Sequence, residues 1–127
     1  MNLLDASAIF NLFQSGRFSV LIAGATIPLA RYEIGNILWK NYKIRNRISR
    51  KEANDSGKVL FELVDSMEQI VPFAGSTLEF SMEEGLTFYD SSYLVSAIEA
   101  GYNLVTDDIK LQKISESKVT TRKSSDL

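Results

Sequence analysis

Four carboxylate positions stand where surface solvation does not explain them. Asp5 ends the apolar run Asn2-Leu3-Leu4, and Glu33 lies inside the mostly apolar helical stretch from Ile27 to Trp39. Asp90 opens the helix-like segment Ser91 to Ile98, and the pair Asp107 and Asp108 follows the strand-like Asn103 to Thr106. The chain contains no His and no Cys. That excludes a Ser-His-Asp triad, imidazole- or thiolate-bound zinc, and paired imidazoles that deprotonate a ribose 2′-hydroxyl. What remains open is oxygen-ligand chemistry on a hard divalent ion. Carboxylates gathered at one place repel one another unless a cation joins them. Mg²⁺ and Mn²⁺ suit such a set, because they prefer oxygen ligands and are completed by water and substrate phosphates. One or two of these ions can activate water and stabilise both oxygens of a phosphodiester displacement.

Each acid also has a purely structural explanation. Asp5, Asp90 and Asp107 suit helix N-caps, where a carboxylate complements the helix dipole. Glu33 could pair with Lys40. Capping does not account for Glu33, however, and caps need not gather at one edge of a fold.

The elements that must position these acids alternate. Leu3-Leu4 is a short strand, and Ile9, Leu12 and Phe13 give Ala6 to Gln14 helical spacing. Ser19 to Ala23 fits a second strand closed by Gly24, with Thr26 capping the next helix and Pro28 in its first turn. Ser49 and Glu52 form a capping box for a helix from Arg50 to about Ser66. Gln69 to Val71 fits a third strand. Ser76 and Glu79 repeat the capping-box pattern for a helix to about Glu84. Asp90 would cap a helix ending at Gly101, Asn103 to Thr106 a fourth strand, Ile109 to Ile114 a short helix, and Lys118 to Thr120 an edge strand. Short apolar strands alternating with helices predict an α/β fold with right-handed crossovers and a mostly parallel sheet of four or five strands, flanked by helices. Ligands of such sheets bind beyond the carboxyl ends of the strands, where Asp5 and Asp107/Asp108 must fall.

The 127 residues suit one domain, expected over residues 1–121 with a short polar tail at 122–127. The absence of Cys fits a reducing, cytoplasmic setting. The N-terminus lacks the basic region of a signal peptide, and no apolar run reaches membrane-spanning length. Net charge is −2, but its distribution is uneven. Lys40, Lys43, Arg45, Arg47, Arg50 and Lys51 share one segment without an acid. A second basic group comprises Lys110, Lys113, Lys118, Arg122 and Lys123. Such clusters make either a basic patch for a nucleic acid or a solvated surface.

The segments LLDASAIF, RYEIGNILWK, FYDSSYLVSAIEAG and NLVTDDIKL, taken in order from Asn2 to Leu111, resemble the PIN-domain ribonucleases, especially the VapC toxins of toxin–antitoxin pairs. The resemblance implies a PIN-like three-layer sandwich and a Mg²⁺- or Mn²⁺-dependent endoribonuclease. It aligns Asp5, Glu33, Asp90 and Asp108 with the family's acids, with Asp5 and Asp90 holding the principal metal and Glu33 and Asp108 completing the pocket. Ser7 and Thr106 match hydroxyl positions that order water or ligands, and Asp107 falls at a variable position. Ser91 stands where the family usually has Ala. Lys40, Lys43, Arg45 and Lys110 are candidates for contacts to the RNA backbone. The resemblance further implies a small VapB-like antitoxin partner and a homodimer. The alternative is a non-catalytic PIN-like RNA-binding or scaffold subunit. A receiver domain fits poorly, because Val71-Pro72-Phe73 ends the third strand without an Asp. A haloacid-type phosphatase fits poorly because Ser7 stands two residues after Asp5.

Overall fold

The computed structural model describes all 127 residues. In chain order the elements are β1 (Asn2–Leu4), α1 (Ala6–Gln14), α2 (Phe18–Ile22), β2 (Ala25–Thr26), α3 (Leu29–Lys43), α4 (Arg50–Ser66) and β3 (Glu68–Gln69). Then come α5 (Ala74–Glu84), α6 (Phe88–Ala100), β4 (Asn103–Val105), α7 (Ile109–Ser115), β5 (Thr121–Arg122) and a final 3-10 turn at Ser124–Asp126. The five strands form one sheet in the order β3-β2-β1-β4-β5. Every pairing is parallel. The chain builds outward from β1 through β2 to β3, then crosses back to place β4 on the other side of β1. The strand order therefore reverses between β1 and β4, which pair Leu3 with Leu104 and Leu4 with Val105. In open parallel sheets that reversal opens a crevice at the carboxyl ends of the two strands.

Burial explains why such short strands suffice. Leu3, Leu4, Leu104 and Val105 are fully buried, as expected of strands covered on both faces. Ile9 and Leu12 of α1, Ile34 and Leu38 of α3, Leu60 and Val64 of α4, and Leu94 and Ala97 of α6 join them in a single core. Helices α1 to α4 pack on one another, while α5 packs on α6, which lies against β1 and β4. No helix is long and apolar enough to cross a membrane.

The capping box at Ser49 forms: its hydroxyl accepts from the Glu52 amide at 3.0 Å, and Glu52 accepts from the Ser49 amide at 3.1 Å. Helix α6 ends at Gly101, whose φ of +72° is left-handed. Several other expectations are corrected. Ser19 to Ala23 lies in α2 and the turn after it, not in a strand; a five-residue apolar run fits either. The strand comes two residues later, just after the chain passes close to β1 at Gly24, where a Cβ would sit 2.5 Å from Leu4 Cδ1 and 3.3 Å from the Asn2 carbonyl. Thr26 is in β2 and caps nothing; its buried hydroxyl donates to the Leu4 carbonyl at 2.8 Å. Ser76 lies inside α5, which starts at Ala74. β3 ends at Gln69, before Ile70 and Val71. The edge strand is Thr121–Arg122 rather than Lys118 to Thr120, so the expected boundary at residue 121 cuts a strand. The last residues pack on the domain: Ser124 is buried and Leu127 lies against the core.

Candidate active site

Asp5 is the first residue beyond β1, and its amide donates to the Val105 carbonyl at 3.1 Å. It caps α1: Oδ1 accepts from the Ala8 amide at 2.9 Å and from the Ser7 hydroxyl at 2.7 Å. Oδ2 accepts from the Thr106 hydroxyl. Both hydroxyls also accept from the backbone after β4, Ser7 across the β1–β4 junction from the Asp107 amide and Thr106 locally from the Asp108 amide, each at 3.1 Å. Ser7 and Thr106 thus tie the Asp5 carboxylate to the backbone that follows β4. Asp5 is only 5% exposed. Burial pushes its carboxyl up to about 6; the bonds from Thr106, Ala8 and Ser7 hold that rise back, and the charge of Asp107 adds to it. With Oδ1 accepting twice and Oδ2 once, a lone pair of Oδ2 is left for a ligand.

Glu33 projects from α3 and is half-buried, with Oε1 accepting from the Tyr93 hydroxyl of α6 at 2.6 Å. Burial raises its pKa, the Tyr93 bond lowers it, and Asp90 raises it. Tyr93 is itself buried, and that burial beside Glu33 keeps its hydroxyl protonated. Asp90 does not cap α6. Thr87 does, its hydroxyl accepting from the Asp90 amide at 3.1 Å. The carboxylate of Asp90, two residues into the helix, is therefore free for other work. Burial raises its pKa, Asp108 raises it further, and Lys110 lowers it. Asp108 caps α7 through Oδ1, which accepts from the Leu111 amide at 2.8 Å.

These four acids, drawn from four separate parts of the chain, line one cleft of about 430 Å³ together with Lys40. Asp107 points elsewhere. It accepts from Asn11 Nδ2 at 2.7 Å, and from the Ser124 amide at 2.9 Å and the Ser124 hydroxyl. Burial would raise its pKa, but the bonds from Ser124 and Asn11 outweigh that and leave it lowered. Asp107 is a clasp between α1 and the C-terminus, so of the adjacent pair only Asp108 serves the cleft. Lys40 lines the cleft, and Lys110 is close enough to act on Asp90. Lys43 does not line it, and Arg45 lines a neighbouring pocket instead.

The donor set fits a hard cation only in part. Each of the four acids keeps an oxygen lone pair free, and the pKa values of Asp5, Glu33 and Asp90 are raised, first by burial and then by a neighbouring carboxylate. No three of the acids stand close enough around one point to cage an ion. A pair of carboxylates with water and substrate phosphate is the usual protein share for Mg²⁺, and this cleft can supply it.

The motifs do not single out Tyr93, nor the exposed rings of Tyr32 and Tyr89 and the Asn36 amide, which also line the cleft. Tyr93 follows Asp90 by three residues, a spacing that puts both on one helix face. Ser91 is fully buried and its hydroxyl has no partner.

An all-parallel sheet with acids gathered at its switch point defines a PIN-like α/β domain. Among models of known protein families, none matches the chain. Among curated proteins, the chain is 34% identical over 113 residues to exonuclease VapC9 of Pyrobaculum aerophilum, covering 86% of this chain and 81% of that one. It is 28% identical over 127 residues to ribonuclease VapC3 of the same organism, covering 92% and 96%. The crystal structure of PAE2754 from P. aerophilum superposes with a TM-score of 0.78 at 29% identity, over 94% of this chain and 89% of that one. The chain belongs to the VapC-type PIN-domain family.

Proposed function

We propose that this protein is a metal-dependent ribonuclease of the VapC toxin type, hydrolysing RNA phosphodiesters at the cleft where Asp5, Glu33, Asp90 and Asp108 meet. The observation that carries the reading is the convergence itself: four acids from four parts of the chain share one cleft, while the adjacent Asp107 is turned out of it. The names of the two curated relatives, a ribonuclease and an exonuclease, support phosphodiester hydrolysis.

Bound at the carboxylates, Mg²⁺ or Mn²⁺ would neutralise phosphate charge and make water a stronger nucleophile. The chain's own groups do the rest. Asp90 and the free lone pair of Asp5 are the firmest ligands we assign, with Glu33 and Asp108 as direct or water-bridged partners. Ser7 and Thr106 hold Asp5 in one rotamer. Tyr93 fixes Glu33. Lys40 offers a positive charge to a substrate phosphate, and Tyr32 and Tyr89 offer exposed rings on which bases can stack. We take water as the nucleophile, with 5′-phosphate and 3′-hydroxyl ends as the products, because the resemblance to the PIN-domain ribonucleases implies it; the chain has no imidazole to activate a ribose 2′-hydroxyl. The partner we propose is a small VapB-like antitoxin, with the toxin itself a homodimer in a cytoplasmic setting.

The test is cleavage of a circular RNA with Mg²⁺ or Mn²⁺ by the wild type, Asp5→Asn and Asp90→Asn. We expect the circle to open, and each variant to lose at least roughly a hundredfold in rate, as loss of a principal electrostatic group does. Full activity in both variants would remove the assignment. An untouched circle beside a degraded linear RNA would turn the reading from internal to end-directed cutting. RNA binding with no metal-dependent cutting would favour the scaffold.

A further inference from the structure

Beside the acid cleft lies a second pocket of about 430 Å³, lined among others by Asn41, Arg45 and Arg47. Ser7 and Ile37 line both cavities, so the two adjoin. Their charges are opposite. Four carboxylates line the first, and no acid lines the second.

The two arginines are held there by the turn that follows α3. The amides of Ile44 and Arg45 both donate to the Lys40 carbonyl, at 3.0 and 2.9 Å, and the Arg47 amide donates to the Asn41 carbonyl at 2.8 Å. Asn46 completes the turn with a φ of +50°, in the left-handed region. Asn41 is only 6% exposed, and its Oδ1 accepts from Arg45 Nη1 at 3.3 Å. Neither arginine has a carboxylate partner: the chain's ion pairs are Arg31–Asp65, Lys51–Asp55 and Lys118–Glu84. Both guanidiniums are without a counter-ion and line one concave site, and a guanidinium is the side chain best suited to bind a phosphate through paired N–H donors.

We propose that this pocket is a backbone-phosphate subsite, in which Arg45 and Arg47 hold a phosphate of the RNA strand flanking the one at the carboxylates. The proposal rests on the nuclease reading and extends it. An acidic cleft repels a polyanion, so the flanking phosphates need cations close by, and this pocket supplies them on one side of the cleft. Such interactions position a strand without reading its bases.

The test is fluorescence anisotropy of a labelled oligouridine with chelator present, so that binding is read without turnover. The proteins are wild type, R45Q/R47Q, and R17Q/K58Q, which removes the same charge from residues outside both basic clusters and outside this pocket. We expect R45Q/R47Q to bind roughly tenfold more weakly, with the slope of log affinity against log salt reduced by about 0.7 for each phosphate the variant no longer neutralises. R17Q/K58Q should stay near the wild type. Equal binding by the two double variants would overturn the subsite. Cleavage with Mg²⁺ or Mn²⁺ is then measured on the same proteins. A wild type that binds with this arginine dependence yet cuts no RNA counts against the nuclease reading and leaves the subsite standing.

Discussion

Asp5, at the end of β1, accepts hydrogen bonds from Ser7, Ala8 and Thr106, whereas Asp90, across the cleft on α6, caps nothing and is held only by its helix. Glu33, on α3, has one partner, Tyr93 of α6. The strand side of the cleft is therefore built by local, redundant bonding at the sheet edge, and the helix side by tertiary packing that leaves its acids nearly free. The division has a physical logic. A carboxylate buried as deeply as Asp5 must be satisfied to exist at all. The half-buried acids opposite remain available to respond to a ligand.

The largest expected effect lies on the strand side. Asp5 has a folded-state pKa of about 6, above the ordinary 3.8. A raised carboxyl gives stability that is fully present below about pH 4 and is lost as pH rises through about 6. With chelator present, Asp5→Asn removes that dependence while keeping a good N-cap. The variant should exceed the wild type by up to about 3 kcal/mol at neutral pH, and the gap should close as pH falls towards 4. Thermal unfolding of both proteins across that range measures it. A constant gap would mean that burial does not penalise the Asp5 charge, and the contrast between the two walls would collapse.

On the helix side the expected effect is smaller and different in kind. Tyr93→Phe removes the single hydrogen bond to Glu33 while filling nearly the same volume. We expect a stability loss of about 1–2 kcal/mol, since the bond removed is to a charged acceptor. Because the Tyr93 bond lowers the Glu33 pKa, its removal raises that pKa further, and the acid limb of the pH–rate profile should move to higher pH. If the limb stays in place while stability falls, Tyr93 supports the fold and Glu33 does not titrate in the cleavage step.

The same contrast governs what is legible in the sequence. Asp5 can be placed because it directly follows a strand, and the parallel topology then fixes its edge. The Ser49 capping box follows from an equally local pattern, whereas Asp108 is ranked ahead of Asp107 only by the family resemblance. What stays hidden depends on distant parts of the chain. The Glu33–Tyr93 bond joins residues 60 apart, and the Asp107 clasp depends on Ser124. The second strand is misplaced by sequence alone because Ser19 to Ala23 has strand-like residues, while the close approach of Gly24 to Leu4 is a tertiary fact. Asp90 looks like a cap because it opens the helix-like run Ser91 to Ile98, but Thr87, three residues earlier, captures its amide instead. The difference matters functionally, since a capping carboxylate would have less to offer a metal.

The smallest effect tests whether the helical wall carries a defect beside its free acid. Ser91 follows Asp90 directly, where the family usually has Ala, and its fully buried hydroxyl has no hydrogen-bond partner. Its neighbour Ser92, by contrast, donates to the Phe88 carbonyl at 2.6 Å. An unsatisfied buried hydroxyl costs stability, and Ala is also the better helix former. Ser91→Ala should therefore stabilise the protein by about 0.5–1 kcal/mol, with little change in cleavage rate, because the hydroxyl faces no residue of the acid set through a hydrogen bond. Chemical denaturation reads the stability and the RNA assay reads the rate. A variant that is more stable but slower would show that this hydroxyl finds a partner during turnover, and that the helical wall's looseness serves the chemistry rather than merely tolerating it.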